Sequence, residues 1–122
     1  MIRHRMKLFS KKVFDGTDTE LMSSGITVSL ELYDYKVGLK DIVPINNIAS
    51  VSSELDADEI SSCLGLKKTS LGEVLIYHGS MQGLKLTYCL LSGKTKNKLA
   101  VMSYGEYQPG RFICILEGVI DL

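Results

Sequence analysis

His78-Gly79-Ser80-Met81-Gln82-Gly83 puts an imidazole two residues from a hydroxyl, with glycines whose backbone N–H groups could serve as oxyanion donors. A base beside a serine is the pairing that acyl transfer needs. The serine is not centred between glycines, however, and the flanking apolar runs read as two strands, whereas a nucleophile elbow joins a strand to a helix. The segment therefore reads as a hairpin loop. Ser92-Gly93-Lys94-Thr95 has the ending of a phosphate-binding loop. Tyr88 stands where that motif needs its first glycine, and a strand pattern follows the lysine instead of a helix. Lys94, Lys96 and Lys98 read instead as a solvated turn.

Metal chemistry lacks ligands. His4 and His78 are the only histidines, and Cys63, Cys89 and Cys114 lie roughly 25 residues apart, a spacing that fits neither a zinc motif nor a disulfide framework. No metal and no other cofactor is expected, and the thiols read as packing residues. An odd number of cysteines suits a reducing compartment, so a cytoplasmic location is expected. The apolar runs, such as Leu84 to Leu91, fall far short of the roughly 18 residues of a membrane span, and no apolar stretch follows the basic start. No membrane association is expected.

Recognition is the chemistry that remains. The chain of 122 residues carries 14 basic and 14 acidic side chains, a balance that argues against wholesale binding of nucleic acid. The charges are unevenly spread. Residues 1–12 form a basic arm with five basic residues and no acid, whereas residues 13–62 hold ten acids against Lys36 and Lys40. Within and beyond that acidic middle, three groups combine carboxylates with amphipathic rings or helix-start charge: Tyr33, Asp34 and Tyr35; Asp56, Asp58 and Glu59; and Tyr104, Glu106 and Tyr107. Tyrosines supply buried anchors and acids steer encounter with a basic surface.

The elements that would hold these groups are legible in the periodicity. Ile26 to Tyr33 alternates aliphatic and polar residues and reads as a half-buried strand. Met6 to Phe14 reads as a weaker strand, and Asp18 to Ser24, closed by Gly25, as one or two helical turns. Val37 to Val51, with Gly38, Pro44, Asn46 and Asn47, reads as irregular with one short strand. Asp56 is a good N-cap with Glu59 three residues on, and Leu55 and Ile60 occupy staple positions. Gly65 then suits a left-handed C-terminal position, so a helix is expected from Ala57 to Leu64, presenting Ile60, Cys63 and Leu64 to the core.

From Glu73 onward four apolar runs, Glu73 to His78, Leu84 to Leu91, Lys98 to Tyr104 and Arg111 to Glu117, alternate with short turn-forming clusters and read as a four-strand meander. Phe112 to Leu116 is apolar on both faces and calls for cover on both sides. The expected fold is a single α+β domain over residues 1–122, with an antiparallel sheet of five or six strands and one or two short helices. The expected function is a small non-enzymatic protein-binding module with a basic protein partner. An immunity protein that covers the basic active site of a toxin nuclease is a concrete member of that class. Two alternatives stand beside it: a small α+β enzyme with a site at a sheet edge or subunit interface near His78 and Ser80, and a self-associating subunit that completes its layers with a second copy.

Overall fold

Among the described residues, nine strands alternate with two short α-helices and two 3₁₀ segments. A computed structural model describes residues 5–93 and 96–122. The order is β1 (Met6–Thr17), α1 (Asp18–Ser24), β2 (Ile26–Leu30), β3 (Tyr33–Val37), a 3₁₀ turn (Leu39–Asp41), β4 (Val43–Pro44), a 3₁₀ helix (Ile45–Ser50), α2 (Ala57–Cys63), β5 (Lys68–Leu71), β6 (Val74–Tyr77), β7 (Lys85–Ser92), β8 (Asn97–Gln108) and β9 (Arg111–Asp121). One antiparallel sheet runs β1-β9-β8-β7-β4, and β2-β3 and β5-β6 are separate two-stranded ribbons. The α+β class with a five-stranded antiparallel sheet is as the periodicity required.

The sheet is covered on both faces. On one, Cys89, Leu91, Ala100, Met102, Cys114 and Leu116 pack against Leu21 of α1 and against Ile26, Val28, Leu30 and Val37 of the β2-β3 ribbon. On the other, Leu86, Tyr88, Leu99, Val101 and Ile120 pack against Ile45 and Ile48 of the 3₁₀ helix, Leu55, Ile60 of α2 and Tyr77 of β6. This double cover is why Phe112 to Leu116 reads as apolar on both sides: Ile113, Cys114 and Leu116 are buried, and Phe112 and Ile115 are half-buried.

Both helices begin on side-chain caps. Thr17 accepts the Glu20 N–H at 3.2 Å while the Glu20 carboxylate accepts the Thr17 N–H at 3.3 Å, a reciprocal box before α1. Asp56 accepts the Asp58 N–H at 3.0 Å before α2. Gly65, at φ 68°, closes α2 with the Gly65 and Leu66 N–H groups bonded to the Ser62 and Ser61 carbonyls, where the sequence placed the stop.

Three local expectations are corrected. Ile26 to Tyr33 is not one strand: Glu31, at φ 56°, and Leu32 form a two-residue turn, so Tyr33, Asp34 and Tyr35 belong to β3. Glu106 and Tyr107, expected in the turn cluster after Tyr104, lie with it in β8, because the turn is only Pro109-Gly110 and the β8-β9 ladder runs to Gln108 and Arg111. The strand expected from Met6 is β1, which runs on to Thr17 and pairs with β9 from Ile120 to Arg111; residues 1–4, with Arg3 and His4, lie outside the described residues, as do Lys94 and Thr95 of the basic turn. The four-strand meander has three strands in the sheet. His78 bridges Lys85 and the Gly79 N–H bonds the Leu84 carbonyl, but β6 then departs from β7 to pair with β5.

That departure has a cause on α2. Tyr77 and Lys68, paired across the ribbon, both reach Asp58, and the Asn46 side chain donates to the Leu75 carbonyl at 2.8 Å. These bonds hold β6 against the helical cover and away from β7.

Candidate functional site

Where β6 and β7 diverge, a groove of about 680 Å³ opens between them. Val74, Leu75 and Tyr77 line it from β6, Leu86 and Thr87 from β7, and Tyr104 from β8. Lys85 and Glu106 stand at its polar margin. Val74 and Leu75 are 60% and 37% exposed, and Leu71 at the ribbon's tip is 72% exposed, so the apolar lining runs out onto the surface. A concave, mostly apolar site of this size is what binding a partner's side chains requires.

The wall of the groove is fixed by one carboxylate. Asp58 Oδ1 accepts the Tyr77 hydroxyl at 2.6 Å and the Lys68 Nζ at 2.8 Å. The Lys68 hydrogen bond, and then that of Tyr77, hold the Asp58 carboxyl below the usual carboxylate range. Burial, reinforced by the neighbouring Asp58 charge, pushes the Tyr77 phenol up to about 12. The phenol therefore stays protonated and keeps donating over the whole physiological range.

The residues singled out in the sequence are dispersed. Tyr33 and Tyr35 do meet, with ring centroids 6.5 Å apart, on the ribbon that covers the first face; Tyr33 is exposed and Asp34 accepts the Ser29 hydroxyl at 2.6 Å. Asp56, Asp58 and Glu59 sit on α2, which covers the opposite face. Tyr104 stacks on Phe112 with centroids 6.2 Å apart, and burial raises its phenol pKa. Glu106 accepts the Gly110 N–H at 3.1 Å. The Tyr107 hydroxyl donates to Asp15 at 2.6 Å and accepts from Arg111 Nε at 3.2 Å. Two of the three groups thus lie on opposite covers, and most of their polar atoms close turns, caps and clasps.

His78 and Ser80 also part company. His78 Nε2 hydrogen-bonds Thr69 Oγ1 at 2.9 Å, whereas Ser80 uses its backbone N–H on Ser103 Oγ at 2.9 Å. Ser103 donates in turn to the buried Glu117 carboxylate at 2.5 Å. Glu117 is the extra residue of a β-bulge between the Val101–Gly118 and Met102–Leu116 pairs, which turns its side chain toward Ser103. The relay ends in structure: Ser80 meets it through the main chain.

Burial pushes the Cys89 and Cys114 thiols up to about 12, far from a nucleophilic thiolate at neutral pH. Among the described residues, no cluster of three or more histidine, cysteine or acidic side chains could hold a metal ion.

Sequence reasoning missed the groove because it depends on the divergence of β6 from β7. The one available signal was Asn46-Asn47 after Pro44, an amide pair suited to capping a neighbouring strand, as Asn46 does at Leu75. No family model matches the chain, and no curated protein or solved structure does so either.

Proposed function

We propose that this protein is a small non-catalytic binding module that takes an apolar segment of a protein partner into the groove between β6 and β7. The observation that carries the reading is the groove itself: an apolar lining of about 680 Å³ that continues onto the exposed Val74 and Leu75. Exposed aliphatic side chains bordering a preformed concavity are the usual material of a recognition surface.

The polar groups around it support binding over catalysis. His78 and Ser80 take separate partners, and Asp58 is held ionised by Lys68 and Tyr77. The acids expected to meet a basic partner are divided between the two covers of the sheet, so the docking role passes from an acidic face to the apolar groove. Membrane insertion through a helix finds no support either, since no helix among the described residues is long and apolar enough to cross.

Selection of peptides from a random display library against the intact protein tests the reading. Recovered peptides should carry at least two large apolar residues, and Val74→Asp should weaken them at least about tenfold, the scale of a hot-spot contact. Peptides that bind Val74→Asp as tightly as the parent protein contradict it.

A further inference from the structure

The β5-β6 ribbon has a second surface that the chain leaves uncovered. All four residues of β5 are exposed, and none of them lines the groove. Pairing runs Lys68 with Tyr77, Thr69 with Ile76, Ser70 with Leu75 and Leu71 with Val74, across the two-residue turn Gly72-Glu73. Paired residues share a face, so Lys68, Ser70, Leu75 and Tyr77 lie toward α2 and its Asp58, whereas Thr69, Leu71, Val74 and Ile76 lie on the other face.

The phase of the backbone follows from two bonds. The His78 N–H bonds the Lys67 carbonyl within the ribbon, and the Leu75 carbonyl is bonded from outside by Asn46. Alternation along an antiparallel pair then turns the main-chain groups of Lys68 and Ser70 away from β6, onto an open edge. A lone two-stranded ribbon is marginal in water, and natural edges are usually guarded by proline or an outward lysine. Lys68 is the only basic residue in β5, and it is drawn back to Asp58 at 2.8 Å. The edge is left unguarded.

We propose that this edge pairs antiparallel with the same edge of a second copy of the chain, centred on Ser70. In that register the outward main-chain groups of Ser70 face their own symmetry mates, and Leu71 stands beside the partner's Thr69. Charge is compatible with the same register. Lys67 and Glu73 flank Ser70 by three residues on either side, so each Lys67 comes to the end of the partner's ribbon, beside the Gly72-Glu73 turn that carries Glu73. Neither makes an ion pair within the described chain, which leaves both available to the second copy. The result is a four-stranded β6-β5-β5-β6 sheet with two-fold symmetry. It uses the β5 edge, none of whose residues lines the groove, and does not depend on the docking reading. The interface is small and therefore transient.

Sedimentation velocity of the intact protein from micromolar to millimolar concentration should show a concentration-dependent monomer–dimer equilibrium. Glu73→Lys should weaken the dimer at least about threefold by bringing like charges together, and adding Lys67→Glu should restore it. Cross-linking fixes the register. Paired Cα atoms at a hydrogen-bonded antiparallel position lie about 5.5 Å apart, within disulfide reach. Ser70→Cys should therefore oxidise to a reducible covalent dimer, whereas Thr69→Cys, offset by two residues from its own mate, and the parent chain should not. A mass that stays monomeric throughout the series overturns the proposal, as does equal cross-linking of both variants.

Discussion

Tyr77 donates its hydroxyl to Asp58 Oδ1 at 2.6 Å, and through that bond the β5-β6 ribbon is held to the first turn of α2. With the Lys68–Asp58 and Asn46–Leu75 bonds, it keeps β6 off β7 and the groove open. Tyr77→Phe preserves the buried ring and removes the donor. Its expected cost is about 1 kcal/mol, or about 4 °C in Tm for a domain of this size. Hydrogen exchange should accelerate at the β5 and β6 amides and leave the centre of β8 unchanged; uniform acceleration would mean that the clasp is not local.

The same clasp sets the response to pH. The Asp58 and Asp15 carboxyls are both held below the usual carboxylate range, Asp58 chiefly through the Lys68 hydrogen bond and Asp15 chiefly through that of Tyr107. A depressed carboxyl stabilises the fold above its unfolded pKa, and that contribution is lost as pH falls through the folded value. Thermal melts below about pH 4 should therefore decline less steeply in Asp58→Asn and Asp15→Asn than in the parent protein. Tyr77 has the opposite arrangement, with a phenol raised from 10.0 to about 12 by burial. Its contribution is complete below pH 10 and lost as pH rises toward 12, so Tyr77→Phe should flatten the alkaline limb. Cys89 and Cys114 titrate in both proteins alike and leave the difference to Tyr77.

Ser103 holds together a loop and a bulge. Its Oγ accepts the Ser80 N–H and donates to the buried Glu117. Ser103→Ala leaves both without that partner and should cost about 1–3 kcal/mol. Gly79 sits over the same point: a Cβ there would lie 2.7 Å from Ser103 Cβ and 2.8 Å from Leu84 Cβ. Gly79→Ala should destabilise as well, and the pair should be strongly non-additive in denaturant unfolding because both disturb one contact.

Thiol reactivity reads the burial of the sheet. Cys89 and Cys114 are fully buried with thiols pushed up to about 12, whereas Cys63 is half-buried at the end of α2. Mass spectrometry after brief treatment with a thiol reagent should find one label, at Cys63, in the native protein and three after unfolding. Rapid labelling of Cys114 in the native state would contradict the two-sided cover.

How much of this was legible in the sequence follows the range of the interactions. The α2 boundaries were readable from Asp56 and Gly65, because caps act within a turn. The double-sided strand Phe112 to Leu116 announced its own cover. The turn at Glu31-Leu32 was hidden because neither residue is a turn former, and Glu31 takes its positive φ where glycine or asparagine is usual. The fate of β6 was hidden more deeply. Val74 to Tyr77 has the pattern of a meander strand, and what diverts it is a tyrosine–aspartate bond across 19 residues and an amide 29 residues away. Local pattern carries no record of such partners, and the groove exists only through them.

The central claim is that binding occurs in the groove between β6 and β7. Amide chemical-shift mapping of the intact protein with a selected apolar peptide tests it most directly. Shifts are expected at Leu75 to Tyr77, Lys85 to Thr87 and Tyr104 to Glu106. Shifts confined to Tyr33 to Tyr35 or to Asp56 to Glu59 would contradict it.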